Sequence, residues 1–162
     1  YLLPIDFNGD KEALLTNLDT RKKSREHLAN GGSLIIFPSG TVSTTAKFYQ
    51  NTKNAFDPPW KKFSSRLIKQ TDPKIIPIYF FGCNSIKFQL ASHLGNIFRS
   101  SLLFHEVKRR IGSEFKFIIG EPFKYSDNKK ELSNQELAEY LRTKTYLLNP
   151  KLKEAPPYGL DI

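Results

Sequence analysis

Residues 34–41, Leu-Ile-Ile-Phe-Pro-Ser-Gly-Thr, set an apolar run directly before a turn that carries two hydroxyls and a glycine. An inner strand that stops abruptly at a Pro-x-Gly bend presents backbone N–H groups and small polar side chains at the carboxyl edge of a sheet, where open α/β sheets seat their ligands. Gly40 lets a ligand approach the backbone without meeting a Cβ. Ser39, Thr41 and Ser43 offer hydroxyl donors to an oxyanion or a phosphate. Beyond the loop that follows, Lys61, Lys62 and Arg66 supply cationic charge that suits an anionic group such as a phosphate, and Lys62 and Arg66, four residues apart, share a face if helical. Phe56, Trp60 and Phe63 are candidates for ordinary core or for an apolar groove.

Other chemistries fit less well. Pro38-Ser39-Gly40 lacks both outer glycines of a G-x-S-x-G nucleophile elbow, with Phe37 and Thr41 in their places. His27, His93 and His105 lie far apart and show no H-x-x-x-H or H-E-x-x-H spacing, so no metal site is expected. Of the three, His93 stands out, because Gln89 and Asn96 share its face if residues 86–98 are helical. Gly31-Gly32 stands alone and Gly40 is not followed by Lys, so there is no glycine-rich phosphate loop. The basic runs Lys22-Lys23 with Arg25, and Lys108-Arg109-Arg110, are not interleaved with aromatics as a stacking platform is, which argues against nucleic acid. Cys83 is the single cysteine; it permits no internal disulfide and fits a reducing compartment.

The elements that must position the turn follow from pattern. Residues 1–7 read as a short strand, and Asp10 caps a helix over residues 11–30, with Leu14, Leu18 and Leu28 at near-helical spacing and Gly31-Gly32 at its end. Residues 33–37 form a continuous apolar strand of the kind covered on both faces. The loop from 38 to about 58 is long enough to be functional. Pro59 opens a helix to about residue 70. Residues 74–81 form an Ile-rich strand, with Pro77 favouring an edge or bulge. Residues 86–111 are partly helical with breaks at Gly95 and Gly112, and 114–119 alternate as a half-exposed strand. Ser133 and Glu136 form a capping box for a last helix, with Leu137, Leu141, Leu147 and Leu148 as its buried face. Strand and helix alternate throughout, the grammar of an α/β sheet with right-handed crossovers.

The bulk numbers agree with one domain of this kind. A chain of 162 residues suits a single core, and an apolar share of 39% excludes a disordered protein. Its longest apolar runs fall short of a membrane span. With 25 Lys and Arg against 16 Asp and Glu, the net charge of +9 favours an anionic partner. The sequence contains no Met and begins in mid-pattern, as a fragment, a trimmed chain or a processed product would.

Over residues 1–123, several segments in one order resemble the glycerophospholipid (lysophospholipid) acyltransferases, and among them the hemolysin-like, ornithine-lipid-type branch. Phe37-Pro38-Ser39-Gly40-Thr41 is similar to that family's Phe-Pro-Glu-Gly-Thr motif, with Ser39 in place of the acid. Leu3-Pro4-Ile5-Asp6-Phe7 resembles its Phe-Ile-x-Arg strand, with Phe7 in place of the arginine that helps hold glycerol phosphate. Ile75-Ile76-Pro77-Ile78 resembles its Val-Pro strand, residues 57–61 its linker, and Gly120-Glu121-Pro122 its Gly-x-Pro ending.

The resemblance implies an α/β fold, a mostly parallel sheet flanked by helices and incomplete at its N-terminus. A partial acyltransferase domain would cover residues 1–150 and an extended tail residues 151–162. It implies transfer of a fatty acyl group from acyl-CoA or acyl carrier protein to the hydroxyl of a lysophospholipid or ornithine-type lysolipid, without a cofactor. The chain would lie peripherally on the anionic cytoplasmic face of a membrane. Substrate contacts would fall at Phe37, Pro38, Ser39, Gly40, Thr41, Ser43, Lys61, Lys62, Arg66 and Pro77.

The family's catalytic signature, Asn-His-x-x-x-x-Asp, pairs a general base with the acid that orients it. Five residues after His27, His93 and His105 stand Gly32, Phe98 and Arg110. No catalytic residue is therefore assigned, the signature is expected upstream of Tyr1, and little or no turnover is expected of these residues alone. The alternative reading is a non-catalytic lipid- or protein-binding module of the same fold.

Overall fold

The computed structural model of the chain describes residues 3, 5, 10–127 and 130–161. Its chain order is α1 (Lys11–Ala29), β1 (Thr44–Thr45), β2 (Ala55–Phe56), α2 (Lys62–Thr71), β3 (Ile78–Phe80), α3 (Ile86–Leu94), α4 (Asn96–Arg110), β4 (Phe117–Ile119) and α5 (Asn134–Tyr146). Single 3-10 turns at Thr52–Asn54 and Tyr125–Asp127 complete it.

Helix ends sit where the capping chemistry puts them. The Asp10 carboxylate accepts the Ala13 N–H at 2.7 Å, and Gly31 takes a left-handed φ of 79° just past the end of α1. At α5 the capping box closes in both directions. The Ser133 N–H donates to Glu136 Oε2 at 2.7 Å, and the Glu136 N–H donates to Ser133 Oγ at 3.2 Å. Those bonds hold the exposed Glu136 carboxyl below its ordinary range, the backbone N–H contributing most. Helix α2 begins at Lys62, three residues after the proline that the sequence marks as its start.

The chain divides into two compact units. The first comprises Tyr1–Pro38, Lys61–Ile75 and Pro122–Ala138. In it α1 packs on α2 through small side chains, burying Ala13, Thr20 and Ser24, while Leu14 and Leu18 stay exposed. Asp72 accepts from the Ser126 hydroxyl (2.7 Å) and the Ser126 N–H (3.0 Å), which together lower its pKa. The second comprises Ser39–Trp60, Ile76–Glu121 and Glu139–Ile162, and holds both ribbons and the α3–α4 hairpin.

The expected mostly parallel sheet is overturned. Helix makes up 47% of the described residues, and their strands form two antiparallel ribbons of two strands each. Residues 33–37 belong to no strand, with Ile35 86% and Phe37 73% exposed. An apolar run becomes an inner strand only when neighbours take up its backbone donors and acceptors on both sides. The expected strand over residues 1–7 lies outside the described residues apart from Leu3 and Ile5.

Strand β3 pairs with β4 in the register Ile78↔Ile119, Tyr79↔Ile118 and Phe80↔Phe117. A single crossover helix returns a chain parallel to its first strand; here two helices, α3 and α4, intervene and the strand comes back antiparallel. The Pro77 carbonyl accepts the Gly120 N–H at 2.9 Å, so Pro77 stands just outside β3, where its missing donor costs nothing. Among the described residues, no helix is long and apolar enough to cross a membrane.

Candidate site at the turn braced by Arg99

The bend that the sequence singles out forms locally. Gly40 is exposed in the left-handed region (φ 69°), and the buried Ser39 donates its hydroxyl to the Thr41 carbonyl at 2.8 Å. That bond uses the Ser39 proton to shape the turn. The chain then enters β1, whose pairing with β2 (Thr44↔Phe56, Thr45↔Ala55) buries Thr44 and Thr45 completely.

Behind this turn lies Arg99, 7% exposed, on α4. Its Nη2 donates to Thr41 Oγ1 and to the Val42 carbonyl, both at 2.6 Å, and its Nη1 donates to Thr44 Oγ1 at 2.9 Å. The Phe88 ring of α3 lies 5.6 Å from the guanidinium carbon. Burial lowers the Arg99 pKa, and among the described residues no carboxylate is its partner. A buried cation whose acceptors are all neutral is under-compensated, a state that favours an anion close by.

The hydroxyls around Arg99 differ in where their protons go. Thr44 Oγ1 donates onward to the Val42 carbonyl at 3.0 Å. Thr41 Oγ1 receives Arg99, and its own proton has no acceptor among the described residues. A hydroxyl that accepts from a cation is polarised into a stronger donor. Thr41 is half-buried beside the exposed Gly40, so that donor stands at the edge of the turn.

Helix α3 supports the other flank. The Thr45 N–H donates to Gln89 Oε1 at 2.9 Å, and Thr45 Oγ1 lies 3.3 Å from His93 Nε2. Gln89 and His93 do share a face, as the sequence suggests; Gly95 ends α3 before Asn96, which opens α4. The buried Gln89 Nε2 has no hydrogen-bond partner among the described residues.

Asp57 ties the far side together. Its carboxylate accepts from the Ser43 hydroxyl and from Trp60 Nε1 (2.9 Å), and its N–H donates to the Tyr146 hydroxyl oxygen at 2.8 Å. Burial, with the Asp57 charge second, pushes the Tyr146 phenol well above its ordinary value. The Ser43 proton is thus directed inward, like that of Ser39.

The ten residues expected to touch substrate are therefore divided. Ser39, Gly40, Thr41, Ser43 and Pro77 belong to the second unit; of these Thr41 contacts Arg99, and Gly40 beside it in the chain is exposed. Phe37, Pro38, Lys61, Lys62 and Arg66 belong to the first unit. There the Pro38 carbonyl accepts the Lys61 N–H at 2.8 Å, Lys61 caps α2, and Lys62 and Arg66 are exposed on it. His27 lies 3.1 Å from the Ser33 carbonyl and His105 is exposed; among the described residues no group of His, Cys, Asp or Glu is arranged to hold a metal. Sequence reasoning missed Arg99 and Asp57. Arg99 had a signal, as the single Asp, Glu, Lys or Arg in residues 88–105.

The chain matches no family model, no curated protein and no solved structure.

Proposed function

We propose that this chain seats a fatty-acyl substrate by its anionic oxygens at the 39–45 turn. It would do so as the substrate-holding part of an acyl transfer from acyl-CoA or acyl carrier protein to a lysophospholipid or ornithine-type lysolipid hydroxyl. The setting is the cytoplasmic face of a membrane, approached by a chain of net charge +9. The observation that carries the proposal is the contact from Arg99 to Thr41 Oγ1, a buried positive charge that ends on a half-buried hydroxyl whose own proton has no acceptor among the described residues. Phosphate, carboxylate and thioester oxygens are the acceptors such a donor suits. The similarity of residues 37–41 to the acyltransferase motif narrows that class to acyl lipids and their carriers.

Because none of the three histidines has an acid five residues on, a second reading is lipid binding without turnover. Both readings are tested by titrating the chain with a fluorescent acyl-CoA and with lysophosphatidic acid while assaying product. Thr41→Val removes this hydroxyl and leaves the Val42 and Thr44 bonds of Arg99 in place. It is expected to weaken binding about tenfold or more, the worth of one charge-assisted hydrogen bond, while Thr41→Ser retains it. Equal binding by Thr41→Val, or no binding by the parent chain, overturns the proposal. Product formed by the parent decides for transfer, and binding alone decides for the second reading.

A further inference from the structure

Helix α4 is turned inside out. Arg99 and Glu106, one heptad apart on one of its sides, are buried, while Ile97 (81% exposed) and Phe104 (83% exposed) stand one heptad apart on the opposite side. Helix α3 continues the pattern: Phe88, Gln89, Ala91 and Ser92 face inward, and Ile86, Leu90 and Leu94, four apart, face out. The two helices pack on each other, joined at Gly95 (φ 130°). At the open end Glu106 accepts from the Ser85 hydroxyl and the Ser85 N–H (3.1 Å), where Ser85 is the N-cap of α3. The hairpin is thus held at both ends, and its outward side is a fixed apolar surface.

Charge says what covers that surface. Glu106 is the only acidic residue in residues 86–110 and it is buried. The exposed charges of the hairpin, Lys87, Lys108 and Arg109, are all positive. A second copy docked on this face would bring basic groups toward their own kind across a two-fold axis. An anionic surface pairs with them, and helices with aliphatic and aromatic residues on one face and Lys or Arg beside them lie in lipid headgroups. We propose that the outward face of the α3–α4 hairpin rests in the interface of an anionic phospholipid bilayer, with Ile97 and Phe104 among the acyl chains. This deepens the membrane part of the function proposed above and does not depend on the substrate part.

The test is sedimentation with vesicles of phosphatidylglycerol and phosphatidylcholine against phosphatidylcholine alone. A Phe104→Trp reporter is read in the same samples, since the one native tryptophan, Trp60, is buried and gives a constant background. The expected results are binding to the anionic vesicles, a blue shift of the reporter on binding, and loss of at least about tenfold in affinity for the double variant Ile97→Ser/Phe104→Ser. Lys87→Glu/Lys108→Glu is expected to weaken binding to anionic vesicles and leave the weak binding to neutral ones unchanged. Undiminished binding by the Ile97→Ser/Phe104→Ser variant, with no shift of the reporter, overturns the hairpin and keeps a membrane role for another surface. No binding by the parent chain overturns both. A reporter shift that follows protein concentration without vesicles overturns the bilayer in favour of a second copy.

Discussion

Helices α4 and α5 are similar in length, 15 and 13 residues, and each buries an arginine, yet they face the rest of the chain in opposite senses. Helix α5 buries Leu137, Ala138 and Leu141 and holds the C-terminal tail with Arg142. The Arg142 nitrogens donate to the carbonyls of Pro156 and Pro157 (2.9 Å each) and of Asp57 (3.3 Å). Its guanidinium carbon lies 4.8 and 4.6 Å from the ring centroids of Tyr146 and Tyr158. Helix α4 buries Arg99 and Glu106 and leaves Ile97, Phe98, Phe104 and Val107 exposed. The acceptors differ as well. Those of Arg142 are backbone carbonyls, where a hydrogen-bond chain ends; two of those of Arg99 are hydroxyls, through which a chain continues. Arg142 fastens structure, and on the proposed function Arg99 is the one coupled to a ligand.

That contrast can be broken at several points, and the largest effects belong to α5. Leu137→Ala is expected to lower unfolding free energy by about 3 kcal/mol, as cavity-forming changes at fully buried leucines do, measured by urea denaturation. Arg142→Leu should cost about as much, because three carbonyls lose their donors in a buried setting, and it should leave acyl-CoA binding unchanged. Arg99→Lys is expected to cost only about 1–2 kcal/mol of stability, since an ammonium keeps the charge but loses the fork, and to weaken acyl-CoA binding about tenfold. Stability losses of equal size at Arg99 and Arg142, with no binding change at either, would erase the distinction.

A subtler effect concerns Glu106. Burial raises its pKa, but hydrogen bonds from Ser85 and Arg109 outweigh burial and leave it below its ordinary value of 4.5. A depressed carboxyl adds stability above its unfolded pKa and gives that stability up as pH falls through the lowered folded value. The fall in stability on acidification below about pH 4.5 should therefore be shallower in Glu106→Gln than in the parent, read from denaturation midpoints across pH. Smallest of all is the outward side of α4. Ile97→Ser should change stability in solution by no more than about 0.5 kcal/mol, where the same change at a core position costs several times that.

Much of the local structure was legible in the sequence because it is decided within a few residues. Asp10, the Ser133–Glu136 box and Gly95 act on their immediate neighbours, and each stands where its pattern puts it. The ribbon strands at 78–80 and 117–119 fall inside the expected runs. Sheet pairing was not legible, since a run such as residues 34–37 looks the same whether or not neighbours exist to take its hydrogen bonds. The helix faces were harder still. Leu14 and Leu18 of α1 mark the conventional inner stripe, but Ala13, Thr20 and Ser24 are buried instead. Arg99 reads as an outward charge by every rule of amphipathic helices, and the hydroxyls that hold it inward come from Thr41 and Thr44, more than fifty residues earlier.

The decisive measurement compares the two buried arginines within one sample. Side-chain guanidinium NMR on the 15N-arginine-labelled chain, followed during titration with lysophosphatidic acid or acyl-CoA, resolves Arg99 from Arg142. A saturable shift of the Arg99 Nε and Nη signals, with Arg142 unmoved and the shift absent in Thr41→Val, is the expected result. Binding that shifts Arg142 and leaves Arg99 still, or that shifts neither, contradicts a ligand seat at the turn.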